Sequence, residues 1–271
     1  MSLNFAAISP HPPIIIPEIG GDDTKKASET TAALEKLGKS FNEAEIETLI
    51  VISPHSLIYP DRFNICGMEN LKGDFTNFKT DKIKFEYKNN LVLAAKIDQQ
   101  AQEQGIQTLL YNNNDDDFEL DHGISVPLYY LQKEQESAFR ILPIAYSSLS
   151  RADHFSFGEL IGEVASRSSE RIGILASGDL SHRLVGGVQG KSATVGKEFD
   201  QKITEDVSKN KLQDIIYYDE EFVADAGECG YNSFLILAGA LSKLEPQAEF
   251  LSYEGPFGVG YMVANFKLKE K

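Results

Sequence analysis

The sequence predicts an α/β fold, a three-layer α/β/α sandwich around a mixed, mostly parallel sheet. Two observations predict it. Short runs rich in β-branched or aromatic residues alternate along the chain with longer amphipathic stretches. The tetrapeptide Ile-Ser-Pro-His also occurs twice, at Ile8–His11 and Ile52–His55, each time closing an apolar run. Proline has no N–H for a strand ladder, so each run ends there and its histidine falls at the carboxyl end of a strand. Open α/β sheets place their ligands at that edge. At 271 residues and 42% hydrophobic content, residues 1–271 are expected to form a single domain around a packed core.

The elements follow in order. Asn4–Ile8 and Thr48–Ile52 read as buried strands. Between them, a proline-rich loop leads to Asp22 and Asp23, good caps for a helix running to about Phe41. Residues 60–88 are polar and irregular, with a hairpin or edge strand suggested over Lys82–Tyr87. Leu91–Gln104 has amphipathic helical spacing. Asn112–Asp117 carries no core-forming residue and reads as an exposed loop, followed by a helix beginning near Ser125. Arg140–Ala145 and Arg171–Ser177 are predicted strands; Phe155–Ala165 and Val195–Val207 are predicted helices. Tyr231–Leu241 is apolar almost all round, a buried helix, and Gly260–Phe266 is the strand expected to close the sheet.

A net charge of −15 argues against nucleic acid or an anionic membrane as partner, since both want clustered Lys and Arg. No apolar run approaches the ~20 residues that span a bilayer. No basic region precedes the proline-broken Ile14–Ile16 stretch, so no leader is expected. The two cysteines, Cys66 and Cys229, make no disulfide framework and suggest a reducing, cytoplasmic compartment.

The chemistry-bearing residues are the five histidines. His11 and His55 share one setting. His122 lies in Asp121-His122-Gly123, and His182 ends Ser177-Gly-Asp-Leu-Ser-His182 just past a strand. His154 stands at a helix start among charged and polar residues and is expected to be solvated. Two imidazoles at one sheet edge begin a metal site, and a carboxylate would complete a facial set with open positions. Glu228, in Ala226-Gly-Glu228-Cys229-Gly230, is the candidate, because a buried helix start favours an anion. The same position also suits a plain helix cap, and Cys229 is a rival ligand one residue along. Two His and a Glu also describe a catalytic zinc site, although no His-Glu-x-x-His helix is present. The segment Gly255–Gly260 leads into a strand rather than from a strand into a helix, so it is no phosphate loop. Tyr129, Tyr130 and Phe257 fit either a core or an aromatic pocket wall.

Taken together, six segments resemble one family: His11-Pro-Pro, Ser53-Pro-His55, Asp121-His122-Gly, Ser177-Gly-Asp-Leu-Ser-His182, Ala226-Gly-Glu228-Cys-Gly and Tyr253-Glu-Gly-Pro-Phe-Gly-Val-Gly-Tyr261. The resemblance, over nearly the whole chain, is to class III extradiol ring-cleavage dioxygenases of the LigB subunit type. Within these it is similar to the Memo-related branch found beside or fused to an AMMECR1 domain and a radical-SAM partner. The resemblance implies Fe(II), alternatively Zn2+, held by His11, His55 and Glu228. It implies His182 as the acid/base histidine, His122 as a second pocket histidine positioning substrate or dioxygen, and Asp179 as the residue orienting its loop. The implied activity is oxidoreductase cleavage of a small aromatic diol with O2, as in aromatic compound catabolism. Memo-like proteins have a cysteine where this chain has Cys229-Gly230, which keeps a thiolate in view; a carboxylate is the harder match to Fe(II). The resemblance also admits a Memo-like metal-binding, redox or interaction protein without ring cleavage. Implied partners are an AMMECR1-domain or radical-SAM protein. The chain stops soon after Phe266, so no fused AMMECR1 domain is expected, and a homodimer is the general expectation for a soluble enzyme.

Overall fold

A computed structural model describes residues 2–113, 117–134, 138–185 and 192–268. Its strands are β1 (Leu3–Ser9), β2 (Thr48–Ser53), β3 (Phe63–Cys66), β4 (Asn70–Phe75), β5 (Thr80–Lys88), β6 (Thr108–Tyr111), β7 (Asp117–Glu119), β8 (Arg140–Ala145), β9 (Ile172–Ser177), β10 (Gln247–Glu254) and β11 (Tyr261–Lys267). The helices are α1 (Pro17–Gly20), α2 (Ser28–Glu43), α3 (Leu91–Glu103), α4 (His122–Leu131), α5 (Arg151–Ser166), α6 (Ser192–Ser208), α7 (Glu220–Ala226) and α8 (Tyr231–Leu241).

The main sheet has eight strands in the order β10-β11-β1-β9-β2-β8-β3-β6. Its centre, β1-β9-β2-β8, is parallel throughout, and every residue of β2 and β9 is buried. Strands covered on both faces need continuous apolar runs, and these have them. Side chains alternate between the faces. Ile50 and Ile52 join one core cluster with Phe157 and Phe234 from α5 and α8. Leu49 and Val51 join the other with Phe41 and Tyr130 from α2 and α4. The mixed, mostly parallel sheet with helices on both faces is the expected three-layer arrangement.

Helix α8 is apolar all round because α5 packs on it at backbone distance. A Cβ at Gly162 would stand 2.2 Å from the Ala240 carbonyl oxygen, so only glycine fits there. This contact fixes the far end of α8 against α5.

Several boundaries differ from the sequence reading. Asp22 and Asp23 sit in a 3-10 segment (Gly21–Ala27), and the α-helix begins only at Ser28. Helix α4 starts at His122, capped by the Asp121 side chain on the Ile124 N–H. Helix α5 starts at Arg151, four residues early, because Ser150 and Asp153 form a reciprocal capping box. The 60–88 region holds β3 and β4 as well as β5, and β4, β5 and β7 make a separate three-stranded sheet. The last strand does not close the main sheet: β11 lies between β1 and β10, and β10 forms the edge. In the expected Asn112–Asp117 loop, residues 114–116 lie outside the described residues, and Asp117 begins β7.

His154 is buried, not solvated. Its Nδ1 bonds the Ser150 carbonyl at 2.8 Å and its ring packs edge-on against Phe63. Tyr129 and Tyr130 are buried core residues whose hydroxyls donate to Glu18 and to the Ile15 carbonyl. Both cysteines are free. Among the described residues, no helix is long and apolar enough to cross a membrane.

Candidate metal centre and its cleft

Strands β1 and β2 run parallel on either side of β9, so their Ser-Pro-His ends emerge at one edge with Ser177 between them. His11 Nε2 lies 2.9 Å from His55 Nε2. His11 Nδ1 lies 2.9 Å from Ser177 Oγ, whose hydroxyl donates to the Gly123 carbonyl. That carbonyl can only accept, so Ser177 Oγ must accept from His11 Nδ1–H. The tautomer is thereby fixed, and the Nε2 lone pair of His11 points at His55. Two imidazoles bound at right angles to one metal, with bonds of about 2.1 Å, would have nitrogens about 3.0 Å apart. The observed spacing fits that geometry.

The His122 ring stacks on His55 with centroids 4.1 Å apart. Ligand atoms of His11, His55 and His122 all lie within 4.8 Å of one another, and so do those of His11, Asp179 and Cys229. Cys229 Sγ is 3.6 Å from His11 Nε2 and accepts the Asp179 N–H. The Asp179 carboxylate accepts the backbone N–H of His11 at 2.9 Å. It therefore holds the turn that carries His11 rather than the ring. Burial pushes Asp179 up to about 7.

Burial depresses the pKa of His11, His55 and His182 and brings His122 down to about 4; neighbouring histidines add to this for His11, His122 and His182. The cluster is thus neutral at pH 7, the state in which imidazole binds metal.

Glu228 was expected to complete the ligand set; its carboxylate lies at the amino end of α8. It accepts the Tyr231 N–H at the start of α8, and burial pushes it up to about 7. Among the described residues it joins neither metal-capable group. The helix start takes the carboxylate, and the chain then turns so that the next side chain, Cys229, meets His11. Burial, reinforced by the nearby Asp179 and Glu228 carboxylates, raises the Cys229 thiol; a bound dication would reverse that preference.

His182 is exposed and also stands outside both groups. Its loop is clamped from three sides. His182 N–H donates to Gly227 O, Ser181 Oγ donates to Ala226 O, and Leu180 and Ser181 pair with Gly260 through the backbone. Ser181 N–H also donates to Asp200 Oδ1 at 2.9 Å, and the Tyr253 hydroxyl donates to Asp200 Oδ2 at 2.7 Å. A Cβ at Gly260 would meet Asp200 Oδ2 at 1.9 Å. Sequence reasoning missed Asp200, because a lone Asp inside an amphipathic helix looks like any solvated residue. Ser177 it quoted only as part of a motif.

His55 and His122 border a cleft of about 580 Å³, also lined by Phe78, Tyr111, Phe118 and residues of the small sheet. A larger cavity, about 900 Å³, lies between the small sheet and the start of β8, lined by Lys72, Glu86 and Arg140 among others but by no His or Cys. Of the two, only the first is bordered by members of the histidine cluster, His55 and His122.

Residues 5–264 match the family described as the catalytic LigB subunit of aromatic ring-opening dioxygenase. Protein CA_C1420 of Clostridium acetobutylicum is 33% identical over 269 residues, 97% of this chain and 57% of that protein. A MEMO1 family protein of Methanosarcina barkeri is 29% identical over 49% of this chain and 47% of its own length. The 3,4-dihydroxyphenylacetate 2,3-dioxygenase of Escherichia coli is 25% identical over 65% of this chain and 64% of its own. The chain thus spans roughly half to two thirds of these relatives' lengths. An uncharacterized protein of Escherichia coli K12, JW3007, shares the fold with a TM-score of 0.63 at 15% identity, over 97% of this chain and 99% of that one.

Proposed function

Because the chain belongs to the family of the catalytic LigB subunit of aromatic ring-opening dioxygenases, we propose that it is a metal-dependent oxidoreductase that brings a small aromatic diol together with dioxygen at the His11–His55 pair. The observation that carries this reading is the pair itself: two Nε2 atoms 2.9 Å apart, with His11 locked by Ser177 so that its lone pair faces the shared point. His11 and His55 would hold Fe(II), Cys229, grouped with His11 but not with His55, would be drawn in as a third ligand on binding, and Glu228 would hold the start of α8. When bound, Fe(II) supplies open positions at which a diol and dioxygen can meet.

The chain's other residues do the proton work. His182, neutral at pH 7 and solvent-facing, takes a proton from the incoming diol and returns it to the product side, a role suited to an imidazole. His122, stacked on His55 and bordering the cleft, offers a ring nitrogen to the bound molecule. Asp179 keeps His11 in place through its backbone, and the Asp200–Ser181 bond keeps the His182 loop in place.

One observation favours a second reading. A cysteine facing His11, where a carboxylate was expected, supports a Memo-like redox or metal-binding role without ring cleavage. Fe(II)-dependent oxygen uptake separates the two. Uptake coupled to catechols with ring-opened product supports the first reading; Fe(II) binding with no diol-dependent uptake leaves the second. A protein that takes up zinc and hydrolyses esters without consuming oxygen would contradict both.

A further inference from the structure

We propose that Phe78, carried on the turn between β4 and β5, is a specificity-determining residue: its ring is the wall against which a bound aromatic diol rests, and it sets the size of diol the site accepts. This deepens the function proposed above and rests on it.

The turn explains why the ring stands where it does. Asp74 Oδ1 accepts the Thr76 N–H at 2.8 Å, and the Lys79 N–H donates to the Thr76 carbonyl at 3.0 Å. Lys79 then reverses the chain with a left-handed φ of 68°, so Thr76–Phe78 forms a single 3-10 turn. Phe75 at its base is fully buried and packs edge-on against Phe85 and Phe78, with centroids 5.6 and 6.3 Å away. Strand β4 is tied in turn to the segment that leads into His122. The Leu120 N–H donates to the Lys72 carbonyl at 2.7 Å, and a Cβ at Gly73 would meet Leu120 Cβ at 2.9 Å. Backbone contacts therefore hold Phe78 in register with His122.

The rings form a row. Centroids lie 4.7 Å apart from His11 to His55, 4.1 Å from His55 to His122, and 5.6 Å from His122 to Phe78. The row begins at the candidate metal pair, and its last three members border the cleft. Phe78 is only half-buried, whereas Phe75, three residues earlier, is covered completely. A ring serving the core alone would be covered likewise. Covering the rest of Phe78 with an apolar ring is favourable, and stacked or edge-on aromatic contacts add attraction and fix orientation. At about 580 Å³ the cleft falls in the ~300–1,000 Å³ range of small-molecule sites. Trimming Phe78 would enlarge it on the side facing His122.

The test uses Fe(II)-loaded protein under argon with nitric oxide as a dioxygen surrogate. The iron–nitrosyl EPR signal is titrated with catechol, 3-phenylcatechol and 4-phenylcatechol for the wild type, Phe78→Ala, Phe78→Leu and Phe78→Tyr. Iron content should be equal in all four proteins. Phe78→Ala should bind catechol about tenfold more weakly, while at least one phenylcatechol, whose second ring fills the vacated space, keeps or gains affinity. Phe78→Leu, which retains bulk but no ring, should fall between, and Phe78→Tyr should match the wild type. Unchanged catechol affinity in folded Phe78→Ala or Phe78→Leu overturns the inference. An equal loss for all three diols overturns it too, since Phe78 would then be structural support. A wild-type signal that no diol perturbs overturns the diol reading itself, and is told apart because it arises before Phe78 is varied.

Discussion

His11 Nε2 and His55 Nε2 stand 2.9 Å apart although 44 residues separate them in the chain. Parallel β1 and β2, with β9 between them, bring two copies of one tetrapeptide to the same edge. Ser177 at the end of β9 then settles which nitrogen of His11 carries the proton.

Ser177→Ala removes the acceptor for His11 Nδ1–H. The fold should persist, since a small side chain replaces a small one. Affinity for Fe(II) should fall about 10–100-fold, the usual cost of losing a partner that orients a ligand. Competition against a chelator of known affinity measures it, and unchanged affinity would remove Ser177 from the account.

Cys229 and Glu228 are separable by spectroscopy. X-ray absorption of the Fe(II)-loaded protein should show a sulfur scatterer near ~2.3 Å. That scatterer should vanish in Cys229→Ser and remain in Glu228→Gln. A shell of nitrogen and oxygen alone in the wild type would return the third position to a carboxylate.

Asp200 makes stability depend on pH. Burial raises it from 3.8 to about 6 in the folded protein, so the fold binds more protons than the unfolded chain between those values. Its contribution is full below the lower value and is lost as pH climbs through about 6. Asparagine can still accept from Ser181 and can donate to the Tyr253 oxygen. Asp200→Asn should therefore flatten the stability profile between pH 4 and 6 by on the order of 2–3 kcal/mol. Urea denaturation at several pH values reads this out, and parallel profiles for the two proteins would contradict it.

Gly162→Ala places a Cβ 2.2 Å from a backbone oxygen of α8. Overpacking at backbone contact should cost about 1–3 kcal/mol or more. The loss should appear as a lower denaturation midpoint. An unchanged midpoint would mean the two helices can separate freely.

The central strands were legible because burial on both faces demands apolar runs, and Thr48–Ile52 could be little else. The two histidines were legible because proline marks where each strand stops. By contrast β3 and β4 escaped notice: Phe63–Cys66 spans four residues, and Gly73 interrupts β4, so neither shows a clean period. His154 misled because Arg151, Asp153 and Ser156 stand close to it in sequence, while in space its ring meets Phe63 and Tyr146. Glu228 and Cys229 were both named as candidate ligands. Their different partners, Tyr231 N–H for Glu228 and His11 for Cys229, depend on how the turn meets the α8 N-terminus, which one-dimensional spacing does not encode.

The most direct measurement is Fe(II) content after anaerobic dialysis of the wild type, His11→Ala, His55→Ala and His154→Ala. About one equivalent of iron is expected in the wild type and in any folded His154→Ala protein, and almost none in the His11 and His55 variants, because a single divalent ion needs both imidazoles. Full iron retention in folded His55→Ala would contradict the paired-histidine centre.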